Sequence, residues 1–361
     1  MLHTPLHDWH AAHGGRMVDF AGWHMPVQYT SITEEHGAVR NDVGVFDISH
    51  MGRLRFDGED ACRFLDRLLT NHVEAVKPGR IRYSLVCNQD GGILDDVLIY
   101  RLADEYLLVV NASNREKLLA WIKDHETGFD VTRRDTTADT CMIAVQGPRA
   151  VEILAPLVSV DLTAMKYYNS VETGIEGEAA LISRTGYTGE DGFEIIVDAS
   201  QGSPLWQKLV DAGARPCGLG CRDTLRLEAA MPLYGHELDE SIDPLTAGLA
   251  FGVKLDAADF IGRDALLAVR DNPTGRERVG LMLAGKRIAR EGAELVSKSG
   301  EPVGTVTSGT FSPTLGKSIA MAYIHTSHAR PGTEIEVDIR GKREPATLVP
   351  LPFYKRESPP S

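Results

Sequence analysis

The chain has 361 residues, 43% apolar and 25% charged, and its 38 Lys and Arg against 51 Asp and Glu leave a net charge of −13. That apolar share can cover the entropy of ordering, which excludes a disordered chain, and the length implies two or three domains. No apolar run approaches the roughly 18 residues of a membrane span, and an acidic chain without a basic cluster is repelled by phosphate, so neither membrane nor nucleic acid is expected as a partner.

In chain order, the first segment carries His3, His7, His10 and His13, which share one face if the segment is helical. No Glu or Cys completes a site there, so no metal is expected. Apolar spacings of three and four predict helices over Glu59–Leu69, Asn114–His125, Pro148–Leu157, Leu205–Ala214 and Arg222–Ala230. Alternating or β-branched runs predict strands over Asp96–Arg101, Tyr106–Val110, Ala179–Ser183, Phe193–Val197, Arg278–Leu283, Ile319–Ile324 and Glu334–Ile339. From Asp271-Asn272-Pro273 onward the chain reads as short strands broken by Gly and Pro, with a hairpin turn at Arg340-Gly341-Lys342. The expectation is therefore an α+β body over 1–272, in two lobes, and a C-terminal β-barrel or jelly roll over 273–361, ending in a loose tail at Glu357–Ser361. Five scattered cysteines form no disulfide framework, and Met1-Leu2-His3-Thr4-Pro5 does not read as a secretory signal. A reducing, cytoplasmic setting is expected.

Three stretches suggest chemistry. In Asn88-Gln89-Asp90-Gly91-Gly92-Ile93-Leu94-Asp95-Asp96-Val97 a glycine turn feeds a strand that begins with two carboxylates. Successive strand side chains face opposite ways, so one aspartate caps the turn and the other points inward beside Leu98 and Tyr100. An inward carboxylate is costly without partners or function, although a turn-capping pair with no chemistry fits the spacing as well. Arg184-Thr185-Gly186-Tyr187-Thr188-Gly189-Glu190-Asp191-Gly192-Phe193-Glu194 combines glycines that let backbone approach a ligand with a carboxylate inside an apolar strand. Such a carboxylate suits a heterocycle edge with two adjacent donors, and an edge-strand glutamate is the plain alternative. Gly218-Leu219-Gly220-Cys221-Arg222-Asp223-Thr224-Leu225-Arg226 opens a helix whose amides can bind an anion, with Arg222 and Arg226 one turn apart, or is a salt-bridged helix.

Together with Thr4-Pro5-Leu6-His7-Asp8-Trp9-His10, Phe20-Ala21-Gly22-Trp23, Phe46-Asp47-Ile48-Ser49-His50-Met51 and Leu233-Tyr234-Gly235-His236-Glu237-Leu238, these stretches resemble the aminomethyltransferase (T-protein) family of the glycine cleavage system. The order of the motifs runs nearly end to end. The resemblance implies a three-lobed cloverleaf around a central folate cavity, with tetrahydrofolate as co-substrate and the lipoylated H-protein as partner. The implied reaction moves the methylene carbon from the S-aminomethyldihydrolipoyl arm to tetrahydrofolate, giving ammonia and 5,10-methylenetetrahydrofolate. It assigns Asp96 as the catalytic carboxylate, Glu194 as the pterin-contacting acid and Arg222 as a folate-contacting cation. Tyr83, Asn111, Tyr168, Tyr187 and Tyr234 match the pocket wall. Phe251 stands where relatives carry tryptophan, keeping the apolar face and losing the indole donor. Some relatives add a folate contact near the C-terminus, in the region of Phe353-Tyr354-Lys355-Arg356. Two other activities share the pterin pocket, a tetrahydrofolate-dependent demethylase and a folate-binding iron–sulfur assembly factor. The latter is similar to Lys-Gly-Cys-Tyr at the glycine hairpin, where this chain has Arg184-Thr185-Gly186-Tyr187.

Overall fold

Strand alternation governs the layout. The computed structural model describes residues 1–257 and 259–356, and the expected loose tail lies outside them. The strands sort into a two-stranded hairpin, two larger sheets and a closed barrel. The hairpin pairs Arg16–Phe20 with Trp23–Gln28. Six strands form the first sheet, in the order Ser170–Ile175, Glu178–Ser183, Gly192–Asp198, Thr140–Gln146, Gly44–Asp47 and Arg215–Pro216. Arg80–Cys87, Ile93–Arg101, Tyr106–Val110, Gly52–Asp57 and Thr132–Asp135 form the second.

Each sheet is apolar on both faces, and the period of two sends alternate residues to different cores. From the first sheet, Ile143, Val145, Phe193 and Ile195 pack outward with Trp206 and Leu209 of the helix Ala199–Asp211. Met142, Ala144 and Ile196 face inward, where they meet Tyr100, Leu107 and Val109 of the second sheet. The second sheet turns Val97, Ile99 and Leu108 outward against the helices Ala61–Leu68 and Arg115–His125. Two sheets thus lie face to face with helices outside them. Glu194 and Asp96 sit on the inner faces, each two residues from an inner-core side chain.

Six strands from Arg276–Leu283 to Arg343–Val349 close the C-terminal barrel around Leu281, Leu295, Val306, Ala322, Val337 and Leu348. The expected hairpin turn is present. Glu334–Asp338 pairs with Arg343–Val349, and Arg340 and Gly341 take φ of 56° and 77°, as a two-residue turn with both central residues left-handed requires. The helix Leu219–Glu228 joins body to barrel. Arg226 donates to Glu237 and to Ser308, each at 2.8 Å, and Thr307 donates to the other Glu237 oxygen at 2.5 Å. Glu228, fully buried, accepts from Arg40 at 2.9 Å, from Thr314 Oγ1 at 2.8 Å and from Ser312.

Some boundaries differ from expectation. The helix expected from Leu205 begins at Ala199 and carries Pro204 within it, because Asp198 caps it by accepting from Ser200 N–H at 2.9 Å. The segment Pro148–Leu157 is helical only over Ala150–Leu154 before a 3₁₀ turn, Ala155–Leu157. The four N-terminal histidines do not share one face, because the helix covers only His7–Ala12. His10 turns inward and meets Asp47 at 2.9 Å, while His13 stacks on Trp9. Among the described residues no helix is long and apolar enough to cross a membrane.

Candidate active site

Where the two inner faces diverge they leave a cavity of about 630 Å³. Volumes of that order hold drug-sized organic molecules. All nine residues singled out in the sequence line it: Asp96, Glu194, Arg222, Tyr83, Asn111, Tyr168, Tyr187, Tyr234 and Phe251. Its walls come from the N-terminal hairpin, both sheets, the start of the helix Leu219–Glu228 and the segment after it, with no lining residue from the barrel.

At one wall stands the acid pair. Tyr83 Oη donates to Asp96 Oδ2 at 3.1 Å, and Asn111 Nδ2 donates to Asp96 Oδ1 at 2.8 Å and to Asp95 Oδ1 at 2.8 Å. Asp95 points the other way and is fully buried, accepting also from Asn111 N–H at 3.0 Å and from Asn114 Nδ2 at 2.6 Å. It does not cap the turn, as the sequence suggested. Asn88 does, accepting from the amides of Asp90 and Gly92. Burial pushes both carboxyls above the ordinary range, and the Asp96 charge adds to the rise at Asp95. Burial, together with the Asp96 charge, raises the Tyr83 hydroxyl as well, which keeps it a donor at neutral pH.

Glu194 and Arg222 stand differently. Glu194 is buried and Arg222 half-buried, yet neither is neutralised by a direct protein ion pair among the described residues. Thr185 Oγ1 donates to Glu194 Oε2 at 2.6 Å, and the Arg222 guanidinium lies over the Tyr187 ring, 4.6 Å from its centre. Burial raises the Glu194 carboxyl, against the pull of Thr185 and Arg222, and lowers the Arg222 guanidinium, against the pull of Glu194. Desolvated charges without a partner are expensive.

Aromatic faces complete the walls. Tyr83 and Phe251 pack with ring centres 5.3 Å apart. Phe251 is 63% exposed, placing it at the lip. Tyr187 Oη donates to the Pro232 carbonyl, and Tyr234 accepts from Lys117 Nζ at 2.7 Å. Tyr168 holds a φ of 60°, fixed by backbone hydrogen bonds to Ile81 and Arg184 at 2.9 Å each. That strain aims a tyrosine at the cavity.

Gly186 and Gly220 line the cavity, and glycines of both stretches are also required by contacts inside the protein. A side chain at Gly186 would collide with Gln146, and one at Gly218 with the backbone at Val27 and Gln28. The Gly218 amide donates to the buried Glu35 carboxylate at 2.8 Å, so the anion at this helix start belongs to the protein. Of the two arginines on that helix, Arg226 is consumed by Asp223, Glu237 and Ser308, which leaves Arg222 for the cavity.

His50 was quoted only as part of a motif, yet it lines the cavity, 2% exposed, with Nδ1 unpartnered among the described residues. Burial, aided by Arg222 and Arg53, lowers it to about 4, so it is neutral. Val18, Phe20 and Ala21 of the hairpin also line the cavity, although their polar neighbours hid that face in the sequence. The C-terminal aromatic and arginine lie elsewhere. Tyr354 packs under Arg40 and Arg356 lies near Tyr167 and Asp191. Among the described residues three groups of side chains come close enough to share an ion: His3, His7 and His24; Glu35, Cys217 and Cys221; and Asp66, His72 and Glu74. None of them lines the cavity.

The family model of the GCVT N-terminal domain matches residues 6–257, and that of the glycine cleavage T-protein C-terminal barrel domain matches residues 276–355. The chain is 47% identical over 361 residues to an aminomethyltransferase of Saccharopolyspora erythraea, covering 98% of each. It is also 47% identical over 360 residues to an aminomethyltransferase of Bacillus subtilis, covering 98% of this chain and 99% of that one. The solved structure of glycine cleavage system aminomethyltransferase T from Bartonella henselae matches with a TM-score of 0.93 and 34% identity, covering 98% of each chain.

Proposed function

The chain belongs to the glycine cleavage aminomethyltransferase family, and from that premise we propose that its cavity takes tetrahydrofolate with Asp96 at the reacting end and Glu194 with Arg222 at the pterin and folate oxygens. One observation supports this most. Two oppositely charged side chains, one buried and one half-buried, lack a direct ion-pair partner in a cavity that also holds a carboxylate fixed by two donors.

In this reading Glu194 Oε1 and Oε2 accept from the adjacent N3–H and 2-amino group of the pterin, two charge-assisted bonds that fix its register. Arg222 supplies fixed positive charge to folate oxygens, and Tyr83, Tyr168, Tyr187, Tyr234 and Phe251 cover the flat rings. Asp96 orients the folate amine and stabilises the positive charge that develops on the transferred carbon. Tyr83 and Asn111 hold that carboxylate, and Asn111 is itself clamped by Asp95. The donor of the carbon is the aminomethylated dihydrolipoyl arm of the H-protein, and the products are ammonia, 5,10-methylenetetrahydrofolate and the H-protein with its arm released as the dithiol. The reading calls on no metal at the cavity. It divides the chain into a body over 1–272 and a barrel domain over 273–361. It also sets the protein in the cytoplasm, where five unpaired thiols stay reduced.

The deciding experiment offers the purified chain aminomethylated H-protein with and without tetrahydrofolate. Tetrahydrofolate-dependent ammonia release is expected. Folate binding with that H-protein left untouched, alongside demethylation of another donor, would favour the demethylase. Folate binding with no turnover of any donor would favour the assembly factor.

A further inference from the structure

The start of the chain carries a constellation that the cavity does not use. Leu2 N–H donates to the Gly22 carbonyl at 2.8 Å, and His24 N–H donates to the Leu2 carbonyl at 2.9 Å. These bonds lay the first residues beside the hairpin strand Trp23–Gln28, and a short helix then begins at His7. Three separately anchored backbone positions therefore bring His3, His7 and His24 together. The His3 and His7 rings stack with centres 3.6 Å apart and planes 6° apart. His7 Nε2 lies 2.9 Å from His24 Nδ1, and one ring nitrogen from each of the three lies within 4.8 Å of the others.

We propose that His3, His7 and His24 form a binding site for a divalent transition-metal ion, with Zn²⁺ as the occupant and a fourth position left to solvent. Two imidazole nitrogens bound at about 2.0–2.1 Å to one ion stand roughly 2.9–3.3 Å apart, for angles between square and tetrahedral. The His7–His24 separation falls in that range, and the hydrogen bond it marks between the two rings gives way to the ion. His3, stacked parallel to His7, turns about its side-chain bonds to bring its in-plane lone pair to the same ion. Imidazole donors suit zinc, copper, nickel and cobalt ahead of magnesium or calcium. Asp8 supplies an outer partner, since its Oδ1 lies 3.0 Å from His7 Nδ1. With the proton on Nδ1, that carboxylate fixes the tautomer that frees Nε2 for the ion.

In each of the other two groupings a carboxylate is bound to backbone amides. Glu35 already accepts from the amides of Tyr29, Thr30 and Gly218, and Asp66 from those of Val73 and Glu74. An ion at the histidines would fasten the chain start to the hairpin whose Val18, Phe20 and Ala21 line the cavity. The proposal does not depend on what that cavity binds.

The test uses the full chain, freed of metal with a chelator and titrated with Zn²⁺ by calorimetry, with thermal melting alongside. One Zn²⁺ per chain and a rise in Tm are expected. His24→Ala should weaken binding at least about 100-fold and abolish the rise, and Asp8→Asn should weaken it about 10-fold. His13→Ala, which removes a ring stacked on Trp9 outside the trio, should change neither. Should His24→Ala disturb the hairpin, the exposed His3→Ala decides by the same measurements. Zn²⁺ binding unchanged in His3→Ala and His24→Ala, or no binding by the unmodified chain, overturns the proposal.

Discussion

At the scale of single residues, two neighbouring aspartates do different work because a strand sends them to opposite faces. Asp96 lines the cavity, and Asp95 clamps the asparagine that steadies it. Replacing Asp96 by Asn keeps the shape and removes the charge. Turnover should fall about 10²–10⁴-fold while tetrahydrofolate binding stays within a few fold. Steady-state kinetics beside a binding titration separate the two, and unimpaired turnover would remove Asp96 from the chemistry. Glu194→Ala should show the converse pattern, weakening tetrahydrofolate binding by about 1–3 kcal/mol because two pterin donors lose their acceptor. His50 predicts a pH effect on the free protein. Its folded value near 4 lies below the unfolded 6.5, so the folded state binds fewer protons between those limits. Stability from this group is complete above pH 6.5 and drains away as pH falls toward 4, by roughly 3 kcal/mol. Urea unfolding across that range should slope less steeply in His50→Asn, and equal slopes would mean that the imidazole is not held neutral. The alternation rule made the aspartate split readable in the sequence, whereas the neutral state of His50 depends on its burial against Phe20 and on the charges of Arg53 and Arg222, contacts that the sequence does not show.

At the scale of elements, what could be read depended on whether one face or two faces were buried. The strand Glu334–Asp338 and its turn alternate clearly, and both were expected. Thr140–Gln146 is buried almost throughout, so its apolar run carries no period and cannot be told from a helix by pattern. Pro302–Ser312 is rich in Gly, Ser and Thr and was invisible for the opposite reason. The Gly218-Leu219-Gly220 stretch was expected to offer its amides to an anion or to open a salt-bridged helix, and its glycines are constrained by contact as well. A Cβ at Gly218 would meet the backbone of Val27 and Gln28, which cannot give way without moving the hairpin. A Cβ at Gly220 would lie 2.7 Å from Ile32 Cδ1, the end of a flexible side chain. Gly218→Ala should therefore destabilise at the upper end of the roughly 1–3 kcal/mol typical of overpacking, and Gly220→Ala distinctly less. Chemical denaturation of the two variants compares them directly. The reverse order would show that the hairpin yields more easily than Ile32.

At the scale of the whole molecule, the described residues of the barrel contribute no cavity wall, so its bearing on the site passes through the helix Leu219–Glu228 and through Arg278, which donates to the carbonyls of Ala230 and Ala247 at 3.0 and 2.9 Å. That helix presents Arg222 to the cavity and, one turn on, Arg226 to Glu237 and Ser308. The change of composition near residue 272 announces the strand-rich part of the chain in the sequence. The joint is not announced there, because Arg226, Glu237, Thr307 and Ser308 meet only after both parts have folded. Glu237 is fully buried, with one oxygen on Arg226 and the other on Thr307. Removing one member of a buried ion pair leaves the other charge desolvated, at a cost of about 3–5 kcal/mol. Glu237→Ala should therefore weaken the joint more than either core. All four tryptophans, Trp9, Trp23, Trp121 and Trp206, lie before residue 272, so their fluorescence reports the body alone. Amide exchange over Lys317–His325 reports the barrel. In the unmodified chain the two probes should lose their native signals over one urea transition, as a coupled unit does. In Glu237→Ala the transitions should separate. If they remain coincident with an unchanged midpoint, the Arg226–Glu237 contact does not couple the two parts. The joint then rests on its other contacts, among them Glu228, which Arg40 of the body and Thr314 of the barrel share, and Arg278 of the barrel, which donates to the carbonyls of Ala230 and Ala247.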